Sequence, residues 1–306
     1  MSRENSIQYE LFQRISSGSM NNNTRKSAKR TIRQFADWCK SVGINKPSQA
    51  TVGGAALVQR YEKFLEQQGK TAASIHTLLA YVCKSLDIKM SEIEKPKRRS
   101  STICRGRGSA DASDIIKPEY GRLIAFQRRV GIRRSELAAL RKNDLIGDES
   151  GYLCVQVKKG KGGKFQMQRI LPEDEAVVVA YFDGSNERVF SESELDNKIN
   201  LHRLRAEQAR RAYNYYEQQL KEPAARQQAR QELAMRYRRY NRGNLNAWLS
   251  ELDKCGGVYK LRGDNLRKAI NAGLPETYDR LALMMVSVFH LSHWRLDVTV
   301  TNYMLA

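Results

Sequence analysis

A few short strings carry the residue types that chemistry at a phosphate group needs. Gly131-Ile132-Arg133-Arg134-Ser135-Glu136-Leu137 runs on to Leu140 and Asp144. Gly160-Lys161-Gly162-Gly163-Lys164 follows, then His202-Arg203-Leu204-Arg205, then Leu291-Ser292-His293, and last Tyr303. Attack on a phosphodiester gathers negative charge on the non-bridging oxygens, and arginine's fork answers it with two parallel charge-assisted hydrogen bonds. A tyrosine hydroxyl, with an ordinary pKa of about 10, is a poor nucleophile until it loses its proton or its product charge is stabilised. Histidine titrates near neutrality and can take that proton, and lysine can deliver one to a departing oxygen. Each string also has a plainer reading when taken alone. The first is an amphipathic helix behind a glycine, the second a solvated lysine loop, and most of the 14 tyrosines are packing residues.

The charge balance points toward the same substrate class. Of 306 residues, 53 are Lys or Arg and 33 are Asp or Glu, a formal net charge of +20. A surplus of that size repels itself unless a polyanion or counterions cover it. Nucleic acid or an anionic membrane surface is therefore expected, and a neutral small-molecule role is disfavoured. The hydrophobic content of 41% and the six prolines describe a globular chain. The longest apolar stretch, Leu281 to Phe289, is well short of the roughly 20 residues that span a bilayer. The opening Met1-Ser-Arg-Glu-Asn5 lacks the apolar core of a signal peptide. Five scattered cysteines without metal-site spacing suggest a reduced, metal-free, cytoplasmic chain, associated with the nucleoid if its polyanion is DNA.

Taken in order, the strings resemble the motifs of the tyrosine recombinase family, the lambda-type phage integrases and Xer-like site-specific recombinases. Arg133 to Asp144 matches its G-x-R-x-x-E-L box and the following L-x-x-x-D. Lys161 stands where the family carries a hairpin lysine ahead of an apolar return strand, here ending at Ile170-Leu171-Pro172. His202 to Arg205 matches H-x-L-R, Leu291 to His293 matches L-G-H, and Tyr303 follows His293 by ten positions. The resemblance implies a site-specific recombinase that cuts and rejoins duplex DNA through a 3′-phosphotyrosine. It places Arg133 and Arg205 on the scissile phosphate and makes Tyr303 the nucleophile and His202 the general base. It has His293 donate a hydrogen bond to the phosphate and Lys161 protonate the 5′-oxygen. Glu136 then holds Arg133 in place. Because the covalent link conserves the bond energy, neither ATP, metal nor other cofactor is implied. Arg134 rivals Arg133, Lys158, Lys159 and Lys164 rival Lys161, and His290 rivals His293; the motif register favours Arg133, Lys161 and His293. His76 is read as structural.

These residues need elements to position them. Apolar spacing marks helices at Thr24–Val42, around Leu57 to Leu65, and from Ile75 to Leu86. Arg25, Lys26, Lys29, Arg30 and Arg33 crowd the polar side of the first. A Gly, Ser and Arg-rich stretch then reads as a basic tether. Beyond it, helical pattern resumes at Tyr120 to Phe126 and again from Ser135 to Lys142. Gly151–Val157 and Phe165–Pro172 alternate as the two strands of a hairpin with a lysine-rich tip. The fold class expected is mainly α with a small antiparallel β-sheet. A helical core-binding domain at 1–95, a linker at 96–114 and a catalytic domain at 115–306 would together form a positive clamp around double-stranded DNA.

The pattern departs from the family in three places. The interval between Arg205 and His293 is far longer than usual, a helical insertion at about 210–285. Its arginines are interleaved with Tyr213, Tyr215, Tyr216, Tyr237 and Tyr240. That mixture suits backbone contacts and base stacking, or equally a helical hairpin broken near Pro223 and packed on a partner subunit. The third box continues Ala206-Glu207-Gln208, without the family's polar pair. Only Met304-Leu305-Ala306 follows Tyr303 in this sequence, so subunit docking would fall to another element. A homotetramer on paired sites is implied, with an accessory DNA-bending or directionality factor as a candidate partner. Integration or excision of a mobile element is the expected biology. The alternatives are a catalytically degenerate DNA-binding relative, or another tyrosine strand transferase such as a telomere resolvase or type IB topoisomerase.

Overall fold

The computed structural model describes residues 6–16, 18, 20–98, 120–160, 163, 165–197, 199–241 and 243–305. The chain is mainly helical with small antiparallel sheets and divides into two compact units, Met1–Arg105 and Gly106–Ala306. Among the described residues no helix is long and apolar enough to cross a membrane.

The first unit is built from helices α1 (Ile7–Ser16), α2 (Asn22–Ser41), α3 (Pro47–Gln67) and α4 (Ala72–Leu86). The side chain of Asn21 caps α2 by accepting from Thr24 N at 2.9 Å, and Thr71 caps α4 in the same way through Ser74 N. Helix α2 buries Ala28, Ile32, Phe35, Ala36 and Cys39 at the spacing its sequence shows. Phe35 meets Tyr61 of α3 edge to face, with ring centroids 5.0 Å apart. The five cations named on α2 all lie on its exposed side.

In the second unit, helix α5 (Gly121–Val130) ends at Gly131, which takes a left-handed φ of +67°. A Cβ here would also sit 3.1 Å from Gln208 Oε1, so both conformation and the close approach of a neighbouring helix require glycine. The chain then runs extended through Arg133 into a single turn, α6 (Arg134–Leu137). The helix expected to reach Lys142 stops here, because Asp144 turns back to accept from Arg141 N at 2.8 Å. Strands β1 (Leu145–Gly147), β2 (Leu153–Val157) and β3 (Gln166–Arg169) follow in that spatial order, all antiparallel. Val157 pairs with Gln166 and Cys154 with Arg169, which is the expected hairpin plus a third strand not foreseen. Two short helices, α7 (Glu175–Val179) and α8 (Glu192–Leu195), lead to the long α9 (Leu201–Gln219).

The charged segment from Arg203 to Tyr240 is two helices, α9 and α10 (Pro223–Tyr240), with Pro223 in the first turn of the second. Helix α11 (Leu245–Asp253), strand β4 (Val258–Lys260), helix α12 (Gly263–Asn271) and strand β5 (Thr277–Asp279) complete the insertion, β4 pairing with β5. Helices α13 (Arg280–Met285) and α14 (Leu296–Thr299) each widen at their ends to i→i+5 bonding. Leu291 N donates to Val286 O and Leu305 N to Val300 O, each at 3.1 Å. One apolar core joins Tyr213, Leu233 and Leu252 of the insertion to Phe289, Val300 and Tyr303. The insertion is therefore part of this unit's own core. Most of its arginines are also engaged inside the chain. Arg226 pairs with Asp279, Arg230 with Asp253, Arg211 with Glu173 and Asp174, and Arg236 with Asp148 and Glu149.

Candidate active site

Tyr303 is 3% exposed, and its hydroxyl lies 2.8 Å from His293 Nε2. Its ring packs against His202 with centroids 5.1 Å apart, and the guanidinium carbon of Arg205 is 5.8 Å from its centroid. Tyr303 sits in the i→i+5 turn that follows α14, and Arg210 Nη1 donates to the Tyr303 carbonyl at 3.0 Å.

His293 projects from a backbone kink. Ser292 and Trp294 on either side of it take φ of +52° and +60°, while His293 N donates to Ser287 O at 2.9 Å. The first of these left-handed positions is where the resembled motif has glycine, a residue that takes that conformation without strain. Trp294 is packed by the insertion, 5.6 Å from Trp248 and 5.8 Å from Tyr237 between ring centroids.

Arg133 and Arg205 meet at Glu136. Glu136 accepts from Arg133 N at 2.8 Å and Arg133 Nη1 at 2.6 Å, and it lies 3.9 Å from Arg205 Nη1. Burial alone would raise the Glu136 pKa. The nearby Arg205 charge, with the Arg133 backbone and side chain, outweighs that and leaves the carboxyl lowered and ionised. Arg205 is fully buried, donating from Nη1 to Gly131 O at 2.5 Å and from Nη2 to Leu291 O at 2.9 Å. It thereby ties together the loops that precede Arg133 and His293. Desolvation lowers its pKa, opposed by the neighbouring Tyr303. Three of its five N–H groups are not used by those two bonds.

A cavity of about 420 Å³ opens beside this cluster, lined by Arg133, Gln166, His293 and Arg295 together with Phe165 and Tyr240. Arg133 and His293 form part of its wall; Arg205 and Tyr303 do not. Lys161 and its rival Lys164 lie outside the described residues. Lys158 is committed to Asp144 at 2.6 Å. Arg134 is bound to the 195–199 segment through Asn197 Oδ1 at 3.0 Å and Ile199 O at 2.9 Å. His290 is buried between Gln208 and Tyr216, at 2.9 and 3.0 Å. Burial, with Arg169, Arg205 and Arg236 nearby, pushes its pKa down to about 3. His76, in the first unit, meets Pro96 O at 3.0 Å. Arg133, Glu136, His202, Arg205, His293 and Tyr303 are thus brought together.

The glutamines of β3 were not foreseen as contributors. Gln166 and Gln168 alternate on β3; Gln166 Nε2 donates to Glu136 Oε1 at 3.0 Å, and Gln168 to Val130 O at 2.8 Å and to His290 O. Their alternation was visible, but not that the polar face meets the Arg133 loop. Arg236 and Tyr240, among the interleaved basic and aromatic residues of the insertion, reach the cavity from α10.

No protein-family model matches the sequence, and no curated protein does. Among solved structures the chain is similar to one described as the crystal structure of XerA recombinase. The two are 18% identical with a TM-score of 0.23, over 66% of this chain and 82% of that one.

Proposed function

We propose that this chain is a tyrosine recombinase that cuts and rejoins duplex DNA through a 3′-phosphotyrosine. The observation that carries the reading is the Tyr303 hydroxyl, 2.8 Å from His293 Nε2, in one cluster with Arg133, Arg205 and His202. A tyrosine, two histidines and two forked cations, drawn from distant parts of the chain, suit in-line attack on a phosphodiester.

In this reading Arg133 receives the phosphate from the cavity and Arg205 offers its remaining N–H groups from behind. The Tyr303 oxygen attacks phosphorus, its proton passes to a histidine, and the 5′-oxygen departs. His293, at hydrogen-bond distance from the hydroxyl, is placed to accept that proton, the role the motif resemblance would give His202. Lys161 is proposed as the donor to the 5′-oxygen. A 5′-hydroxyl from a second strand then reverses the attack, and no ATP or metal is called for. A homotetramer on paired sites, and integration or excision of a mobile element, complete the proposal.

A second reading is favoured by the burial of Tyr303 and Arg205: a relative that binds DNA without cutting it. One assay separates them. Nicked duplexes from the ends of the candidate element are incubated with the protein, and covalent protein–DNA adducts are sought on denaturing gels. The recombinase forms an adduct that Tyr303→Phe abolishes with binding retained. Salt-sensitive binding without an adduct supports the second reading, and an adduct that survives Tyr303→Phe rejects the nucleophile.

A further inference from the structure

Among the described residues, Tyr9, Phe165 and Tyr240 are the large aromatic side chains left exposed. Two of these stack on each other. The rings of Phe165 and Tyr240, 39% and 36% exposed, lie 5.6 Å apart between centroids at an interplanar angle of 23°. They come from separate elements, the residue before β3 and the last residue of α10, so folding alone has assembled the pair.

Tyr240 is held rather than left free to swing. Its hydroxyl donates to Met167 Sδ at 3.1 Å, and the guanidinium carbons of Arg239 and Arg236 lie 5.4 and 5.8 Å from its centroid. Both rings line the cavity that also holds Arg133 and His293. A ligand seated there meets both a flat apolar surface and cations. A nucleotide has that combination, an aromatic face attached to an anion.

We propose that Phe165 and Tyr240 form a stacking platform for an unpaired nucleobase beside the phosphate held by Arg133. The inference rests on the DNA strand-transfer reading and specifies a subsite for it. A base in an intact duplex already stacks on its neighbours and offers no free face. A base next to a cut strand end has lost the backbone that kept it in line, and transfer to another strand requires it to leave its partner. Aromatic rings at the cavity mouth give that base a surface without reading its identity, since every base has a π-face.

The test uses the full chain and fluorescence anisotropy with three labelled probes. One is a paired duplex, one carries a short gap of unpaired thymidines, and one carries the same gap filled with abasic residues. The expected result is binding roughly tenfold tighter to the thymidine gap than to the abasic gap. Phe165→Ala and Tyr240→Ala should each erase most of that preference, while Tyr240→Phe keeps it. Unchanged affinity for the paired duplex shows that the variants are folded. Equal affinity of the wild-type chain for the two gaps overturns the platform, as does a preference that survives the double alanine variant. Failure to bind any of the duplexes overturns the DNA reading itself.

Discussion

At the scale of single residues, the site depends on backbone conformations that side chains disfavour. Ser292 holds a left-handed φ where glycine is at ease, and that strain aims His293 at Tyr303. Ser292→Gly should stabilise the chain by about 1 kcal/mol in urea unfolding, with the adduct yield unchanged. His290 makes a separate prediction. Buried and neutral, with a pKa pushed down to about 3 from an ordinary 6.5, it binds a proton more readily in the unfolded chain. Stability from this group is therefore complete above pH 6.5 and declines as pH falls toward about 3. His290→Gln should flatten the slope of unfolding free energy across that window. An unaltered slope would show that the ring is not kept neutral by the fold. The pairing of arginines with motif positions was readable because register separates Arg133 from Arg134. The commitment of Arg134 to the 195–199 loop was not, since its partners lie some sixty positions away.

At the scale of elements, the insertion is a buttress. The side chains of β3 alternate between two covered faces. Gln166 and Gln168 meet the Arg133 loop, while Arg169 meets Glu232 of α10 at 2.7 Å and Asp148 at 2.6 Å. Arg236 adds a second bond to the same Asp148 oxygen at 2.8 Å, and the guanidinium carbon of Arg169 lies 3.6 Å from the Phe289 ring centroid. Asp148→Ala would leave two buried cations short of an anion and should cost about 3–5 kcal/mol, read as a lower urea midpoint. Trp248 tests the buttress at a distance. It does not line the cavity, yet it packs against Trp294, the residue after His293. Trp248→Ala should slow adduct formation with duplex affinity intact, and Trp248→Phe should restore much of the rate. Equal losses of binding and rate would point to general unfolding instead. The hairpin strands could be read from their period-two alternation. That both faces are covered could not, because one of them is covered by α10, a helix whose arginines look locally like a solvated face.

At the scale of the whole molecule, the net charge of +20 is distributed unevenly in use. Insertion arginines such as Arg226, Arg230 and Arg236 pair with carboxylates of their own chain, whereas Arg25, Lys26, Lys29 and Arg30 line the exposed side of α2. A DNA-binding chain should therefore lose salt dependence when the α2 cations are removed. Replacing Lys26, Lys29 and Arg30 with Gln should reduce the slope of log affinity against log salt by roughly 0.9 for each phosphate no longer neutralised. Arg226→Gln with Arg230→Gln should change that slope little. Equal effects from both sets would show that the internal pairs open on binding.

The mainly helical class and the antiparallel hairpin follow from local periodicity, because that signal depends only on neighbours in the chain, and the candidate site residues from the resemblance of a few short strings to known motifs. The use of the insertion does not. Whether an arginine faces a phosphate or an aspartate depends on which carboxylate folding brings beside it. The same holds for the contact between Tyr303 and His293 and for the stack of Phe165 on Tyr240. Partners such as Asp148 for Arg236 and Leu291 for Arg205 are decided by the tertiary structure, since only the packed core sets distances between residues so far apart in sequence.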